Sequence, residues 1–113
     1  MELINHNALD ELKMMDEDGG FLKEIVNLFI TDSVNTLNDI KAHAASGDMG
    51  ALNKSAHKLK GSSLSIGAQA LGEKCFALEK MPAFDSEEHK QKEMEEVQNL
   101  YDSSVEELKK IIA

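Results

Sequence analysis

His57 lies in a stretch whose composition departs from the rest of the chain. Between Met49 and Gly72 there is no Asp or Glu, while Lys54, Lys58 and Lys60 all fall there, in a chain of 21 acidic and 12 basic residues with a formal net charge of −9. If the stretch is helical, the i−4, i−3, i+3, i+4 and i+7 neighbours of His57 are Asn53, Lys54, Lys60, Gly61 and Leu64, which share its face. An imidazole among lysines is biased toward its neutral, nucleophilic form, because positive neighbours disfavour another positive charge. The same lysines would stabilise negative charge arriving with a phosphoryl group. Gly61 inside a helix costs roughly 1 kcal/mol relative to Ala, and what it offers is an open approach to the imidazole. Leu64, with Ile66 and Ala68 near a turn, would leave a small apolar rim suited to docking. The plain alternative is an ordinary surface histidine, and the interior Gly and the acid-free lysines weigh against it.

Other catalytic templates fail. There is no His-Glu-x-x-His, no cysteine pair, and no Gly-rich loop followed by Lys, since Gly61, Gly67 and Gly72 match neither a P-loop nor a dinucleotide fingerprint. His6, His43 and His89 sit in polar or terminal settings without a ligand-like neighbour, so no metal site is expected. Cys75 is the single cysteine; it has no disulfide partner within the chain and reads as a small buried apolar thiol in a reducing compartment. The six methionines fall at core spacings.

The elements that must position His57 follow from the apolar periodicity. Asn7 with Asp10 reads as the cap of a short first helix with a stripe of Leu9, Leu12 and Met15, stopped by Gly19-Gly20. From Phe21 to Ser46-Gly47, Leu22, Val26, Phe29, Ser33, Leu37, Ile40 and Ala44 recur at three and four, with Ile25, Ile30 and Val34 widening the stripe of a long second helix. Asp48 caps a third helix with Met49, Leu52, Ala56, Leu59 and Ser63 inward, which leaves His57 about 125° from the centre of that stripe and facing solvent. Gly67 interrupts it, Leu71, Cys75, Leu78 and Met81 form a fourth, and Pro82 closes that one. Asp85 with Glu88 opens a last helix striped by Met94, Val97, Tyr101, Val105, Leu108 and Ile112; its Glu- and Lys-dense run from Asp85 to Glu96 reads as a solvated face with i,i+4 pairs. No strand pattern appears.

Short connections force such helices antiparallel, so the expected fold is all-α: an up-down-up-down four-helix bundle with a short additional N-terminal helix across one end. The second and last helices would each span about 40 Å. One Pro, one Tyr and no Trp agree with a bundle better than with a sandwich or barrel. At 113 residues there is room for one core, hence a single domain over 1–113 and no self-contained kinase or dinucleotide enzyme. The acidic balance argues against nucleic acid and anionic lipid as partners. Met1 to His6 lacks the features of a secretory leader and no apolar run approaches a membrane span, so the chain reads as cytoplasmic.

The segment Ala56-His57-Lys58-Leu59-Lys60-Gly61-Ser62-Ser63, followed by Ile66-Gly67-Ala68 and then Leu71, Cys75 and Leu78-Glu79, resembles the signature of histidine-containing phosphotransfer (HPt) domains. The family pattern His-x-Leu-Lys-Gly-Ser, a downstream Gly turn and a Cys on the next helix match continuously over about 25 residues, and the bundle extends the likeness along the chain. A His-x-x-Lys-Gly alone would be weak; the turn spacing and helix lengths make it specific. The resemblance implies that His57 accepts the phosphoryl group, Lys60 lies beside its oxygens, Gly61 keeps the imidazole accessible and Ser62 helps fix local geometry. The family often has Gln 22 residues beyond the His, facing the ring, where this chain has Glu79. A carboxylate there could orient a ring N–H but would repel a phosphoryl group. Leu64 also departs from the smaller residues often found at its position, which bears on partner choice.

The function implied is that of a phosphorelay intermediate: His57 takes a phosphoryl group from the aspartate of one receiver domain and passes it to another. The expected partners are response-regulator receivers, of a hybrid sensor kinase and of a downstream regulator. The protein would be a phosphocarrier and not an enzyme, with no cofactor of its own and Mg²⁺ on the receiver. Two alternatives stay open: the phosphoacceptor domain of a chemotaxis-type kinase, against which the start at Met1 and end at Ala113 speak mildly, and a module that sequesters a receiver, which would ordinarily have lost the His.

Overall fold

The computed structural model describes residues 2–15 and 20–113. Five helices account for most of them: α1 (His6–Met14), α2 (Gly20–Ser46), α3 (Met49–Ser65), α4 (Gln69–Glu79) and α5 (Glu87–Ile112), with no strand among the described residues. Helix α2 packs on α3, α3 on α4, α4 on α5, and α5 closes the ring against α2, while α1 rests on α2. This is the antiparallel four-helix bundle with an additional N-terminal helix, drawn out to 49 × 24 × 18 Å by the two long helices.

The periodic stripes meet on the bundle axis. Leu22, Val26, Phe29, Leu37 and Ile40 of α2 are buried against Met49, Leu52, Ala56 and Leu59 of α3, Leu71, Cys75 and Leu78 of α4, and Val97, Tyr101 and Leu108 of α5. Each fully buried Leu contributes about 1.5–3 kcal/mol by leaving water. A buried hydrogen bond of 2.9 Å between the hydroxyls of Ser33 and Tyr101 ties α2 to α5. The α3 stripe is the one read from periodicity, Met49, Leu52, Ala56, Leu59 and Ser63, all five buried.

Caps and turns differ in detail. The cap of α1 is Asn5, not Asn7: its side chain accepts from the Ala8 amide at 3.3 Å, and its own N–H donates to the Gly67 carbonyl at 2.6 Å. That tertiary bond, with buried Ile4 beside it, starts the helix two residues early. Only Leu9 of the expected α1 stripe is buried; Leu12 is half-buried and Met15 exposed. Gly20 begins α2, and Gly19 lies outside the described residues. Gly67 turns the chain between α3 and α4 at φ +83°, where a β-carbon would also come to 3.0 Å of the Asn5 carbonyl oxygen. Helix α5 is capped by Ser86, one residue beyond the expected Asp85: the Ser86 hydroxyl accepts from the His89 N–H at 3.1 Å, while the Asp85 carboxylate takes the Ser86 N–H and the His89 ring.

The charged start of α5 is only partly the solvated face expected. Lys90 is buried with its Nζ 2.5 Å from Glu87, and Lys74 reaches across from α4 to Glu93 at 2.7 Å and to Glu96. His89 is not isolated either, since its ring pairs with Asp85 at 2.6 Å and Glu93 at 3.4 Å. The Lys74 pairs are tertiary, because α4 packs on α5, whereas those of Lys90 and His89 are local i,i+3 and i,i+4 pairs at the start of α5.

Candidate functional site on helix α3

Because Ala56 and Leu59 are locked into the core, the helical advance turns His57 outward, and its side chain is 70% exposed. The neighbouring helix ends beside it. Asn53, one turn before His57, donates its side-chain amide to the carbonyl of Leu78 at 2.8 Å and of Met81 at 3.1 Å. Those carbonyls lie at the C-terminal end of α4, where helical partners run out, so Asn53 stitches that end to α3. Asn53 therefore points to α4 and is half-buried, where the sequence reading had it on the open face.

The last residue of α4, Glu79, consequently meets the imidazole. Its Oε1 lies 2.9 Å from His57 Nδ1. An ionised carboxylate can only accept, so Nδ1 carries the hydrogen, and in the neutral ring this tautomer leaves the lone pair on Nε2. Nε2 has no hydrogen-bond partner among the described residues and faces solvent. The Nζ of Lys60 lies 2.6 Å from Glu79 Oε1 and 3.2 Å from Oε2. The Lys60 ammonium first, and the His57 ring second, hold the Glu79 carboxyl below the usual carboxylate range. Lysines alone, the picture drawn from local spacing, thus omit the charge closest to the ring.

Phe76, one turn before Glu79, presents its ring to Lys60 Nζ at 5.0 Å and to Lys80 Nζ at 4.8 Å, cation–π contacts that hold both ammonium groups along α4. Local sequence carried no signal for this contact, which pairs residues on different helices. Lys54 and Lys58 stand exposed without an ion pair among the described residues. The Ser62 hydroxyl donates to the Lys58 carbonyl at 3.1 Å, bonding back onto the turn that carries His57. Gly61 is open: a β-carbon there would meet nothing within 4 Å. Leu64 is 40% exposed and lies on the bare backbone of Gly72. Ile66 and Ala68 are not part of an apolar rim; both are buried, because the turn at Gly67 folds them under α1 and into the core. On the other side of Gly61, Leu12, Ile25, Leu28 and Phe29 line an open groove of about 330 Å³ that reaches Ser62 and Ser65.

Cys75 is buried, and burial pushes its thiol up to about 12, so it stays protonated and unreactive. Among the described residues no three His, Cys, Asp or Glu side chains are grouped to hold a metal ion, and no helix is long and apolar enough to cross a membrane.

An exposed imidazole oriented by a carboxylate, on the outer face of an antiparallel helical bundle, defines a class of protein whose chemistry happens at its surface. The Hpt domain family model matches residues 24–111, and the chain belongs to that family. It is similar to the phosphorelay intermediate protein YPD1 of Candida albicans, 30% identical over 74 residues. That match takes in 65% of this chain and 40% of the length of the relative. The fold is shared with the crystal structure of histidine-containing phosphotransfer protein B (HptB) from Pseudomonas aeruginosa PAO1, with a TM-score of 0.81 at 23% identity over 97% of this chain and 94% of that one.

Proposed function

We propose that residues 1–113 act as a single phosphotransfer module, a phosphorelay intermediate working in the cytoplasm between two receiver domains. The observation that carries this reading is the geometry at His57: Glu79 holds Nδ1, and Nε2 is left outward beside the open backbone of Gly61. In the forward step the Nε2 lone pair attacks the phosphorus of a receiver aspartyl phosphate. The P–O bond to the aspartate breaks and its electron pair leaves with the carboxylate; the reverse step returns the group to a second receiver aspartate.

This chain supplies a nucleophile and a positively charged setting, with Lys60, Lys54 and Lys58 around it. Mg²⁺ and the remaining catalytic groups belong to the receiver, so the protein is a carrier that depends on its partner's site. The apolar groove of Leu12, Ile25, Leu28 and Phe29, which meets α3 at Ser62 and Ser65, gives a receiver an apolar surface to bury on the helix that carries the histidine. The partners proposed are the receiver of a hybrid sensor kinase and that of a downstream response regulator.

The test is incubation of the full chain with a phosphorylated receiver and Mg²⁺, and in parallel with an ATP-loaded histidine-kinase catalytic domain. Phosphate should pass from the receiver to His57 and be absent in His57→Gln, whose melting should stay within about 0.5 kcal/mol of wild type because the side chain is exposed. Labelling by the kinase domain alone would instead identify a kinase phosphoacceptor domain. Binding of a receiver without transfer would identify a sequestering module.

A further inference from the structure

Glu79 stands 2.9 Å from the ring nitrogen opposite the one that reacts, and the proposed transfer leaves a charge on that ring. When Nε2 of a neutral imidazole bonds to phosphorus while Nδ1 already carries hydrogen, the product ring is a cation. It can stay so, or release the Nδ1 proton to water. We propose that Glu79 keeps that proton on Nδ1 of phosphorylated His57, so that the phosphoimidazole persists as its cation and is a ready phosphoryl donor. This rests on the reading of His57 as phosphoacceptor and goes further, to what sets the lifetime and donor strength of the phosphorylated state.

The two protonation states differ in their leaving group. From the cation, the Nε2–P bond breaks with its electron pair returning to Nε2, and the product is neutral imidazole with the original Nδ1–H in place. From the neutral phosphoimidazole the same cleavage would expel an imidazolide anion, a far poorer leaving group. With Glu79 in place the Nδ1 proton is never exchanged in either direction, and no acid or base need be found. A side-chain amide at this position would act differently, since it can turn either its oxygen or its NH₂ to Nδ1 and favours neither state strongly.

The charges around the ring decide whether a carboxylate suffices. On α3, Lys54, Lys58 and Lys60 oppose a ring cation; just past α4, Lys80 lies against Phe76, and on α4 Glu73 lies beside Lys60 and Leu64; on α2, Asp32 lines the groove past Ser62. Lys54 and Lys58 extend into water, where their effect is screened. Lys60 has its ammonium on Glu79, closest to the same Oε1 that meets the ring, so it competes with Nδ1 for that oxygen and tempers the carboxylate. Among the described residues Glu79 is the charged group in direct contact with the ring, and its charge-assisted bond to Nδ1 sets the balance, with Lys60 reducing it through the shared carboxylate. Glu79 also lies at the ring edge remote from Nε2, which limits its repulsion of the phosphoryl group.

The full chain would be phosphorylated with phosphoramidate ion, which needs no receiver. The ¹⁵N shift of Nδ1 and the decay of the phosphate by ³¹P NMR would then be followed against pH. In wild type Nδ1 should remain protonated at mildly alkaline pH, with the decay profile centred at least one pH unit above that of Glu79→Gln. Above both midpoints wild type should lose phosphate about tenfold faster for a separation of one unit. Lys60→Met should move the midpoint the opposite way from Glu79→Gln, further up, because it leaves Glu79 to the ring alone. Coincident profiles for wild type and Glu79→Gln with phosphate on His57, or a deprotonated Nδ1 in phosphorylated wild type at neutral pH, would overturn the inference and leave the functional reading standing. Absence of phosphate from His57 with both phosphoramidate and a receiver would overturn both.

Discussion

Leu64 occupies the space that a β-carbon on Gly72 would need: such an atom would sit 2.7 Å from Leu64 Cγ and closer still to Cδ2. The contact sets how closely α3 and α4 approach one turn beyond the Lys60–Phe76 pair. Gly72→Ala should gain up to about 1 kcal/mol from helix propensity and lose about 1–3 kcal/mol from overpacking, a net destabilisation of about 1 kcal/mol. In a Leu64→Ala background the same change should be stabilising. Urea denaturation of the two single variants and the double variant measures the coupling, and additive effects would show that Leu64 swings aside at no cost.

Lys60→Ala should slow phosphoryl transfer by about tenfold or more, while receiver affinity stays within about threefold, since its charge acts on the moving group and on Glu79. Stopped-flow transfer and equilibrium binding separate the two. Equal losses in both would make Lys60 a docking residue.

Gly61 has room for a side chain in the folded protein, so its absence needs a reason outside the fold. Gly61→Ala should stabilise by up to about 1 kcal/mol. Gly61→Arg should hold or raise the melting temperature and sharply reduce transfer by obstructing the approach to Nε2. Wild-type transfer by the arginine variant would place the receiver on another face.

His89 and Asp85 form a pH-dependent side-chain pair at the start of α5. The Asp85 carboxylate holds the His89 ring above its ordinary value of 6.5, and His89 in turn holds the Asp85 carboxyl below its ordinary 3.8. A raised histidine stabilises fully below 6.5, and the contribution fades as pH rises through the folded-state value; the Asp85 side fades only as pH falls through its lowered value. Wild type should therefore exceed His89→Gln in melting temperature at about pH 5.5, and the gap should close by about pH 9. A gap that does not change with pH would assign the effect to packing.

The direction of His57 was legible without the fold. Leu52, Ala56, Leu59 and Ser63 must face inward, and the helical repeat then leaves His57 outside, because a single periodicity sets a whole face at once. The antiparallel bundle followed for the same reason: five apolar stripes and short connections admit few packings. Caps were less legible, as at Asn5, where a bond to Gly67 some sixty residues away sets the start of α1.

What surrounds His57 was decided by the register of α4 against α3, which no local pattern encodes. The resemblance to HPt domains implied that Glu79 would face the ring, but its sharing with Lys60, the hold of Phe76 on that lysine and the bonds from Asn53 to Leu78 and Met81 arise only once the turn at Gly67 has aligned the helices. The same turn carries Ile66 and Ala68, read as a docking rim, into the core. Helical periodicity determines which way a residue points from its own axis; which atoms it meets depends on the neighbouring helix, whose position is set by packing around Leu64, Gly72 and Gly67.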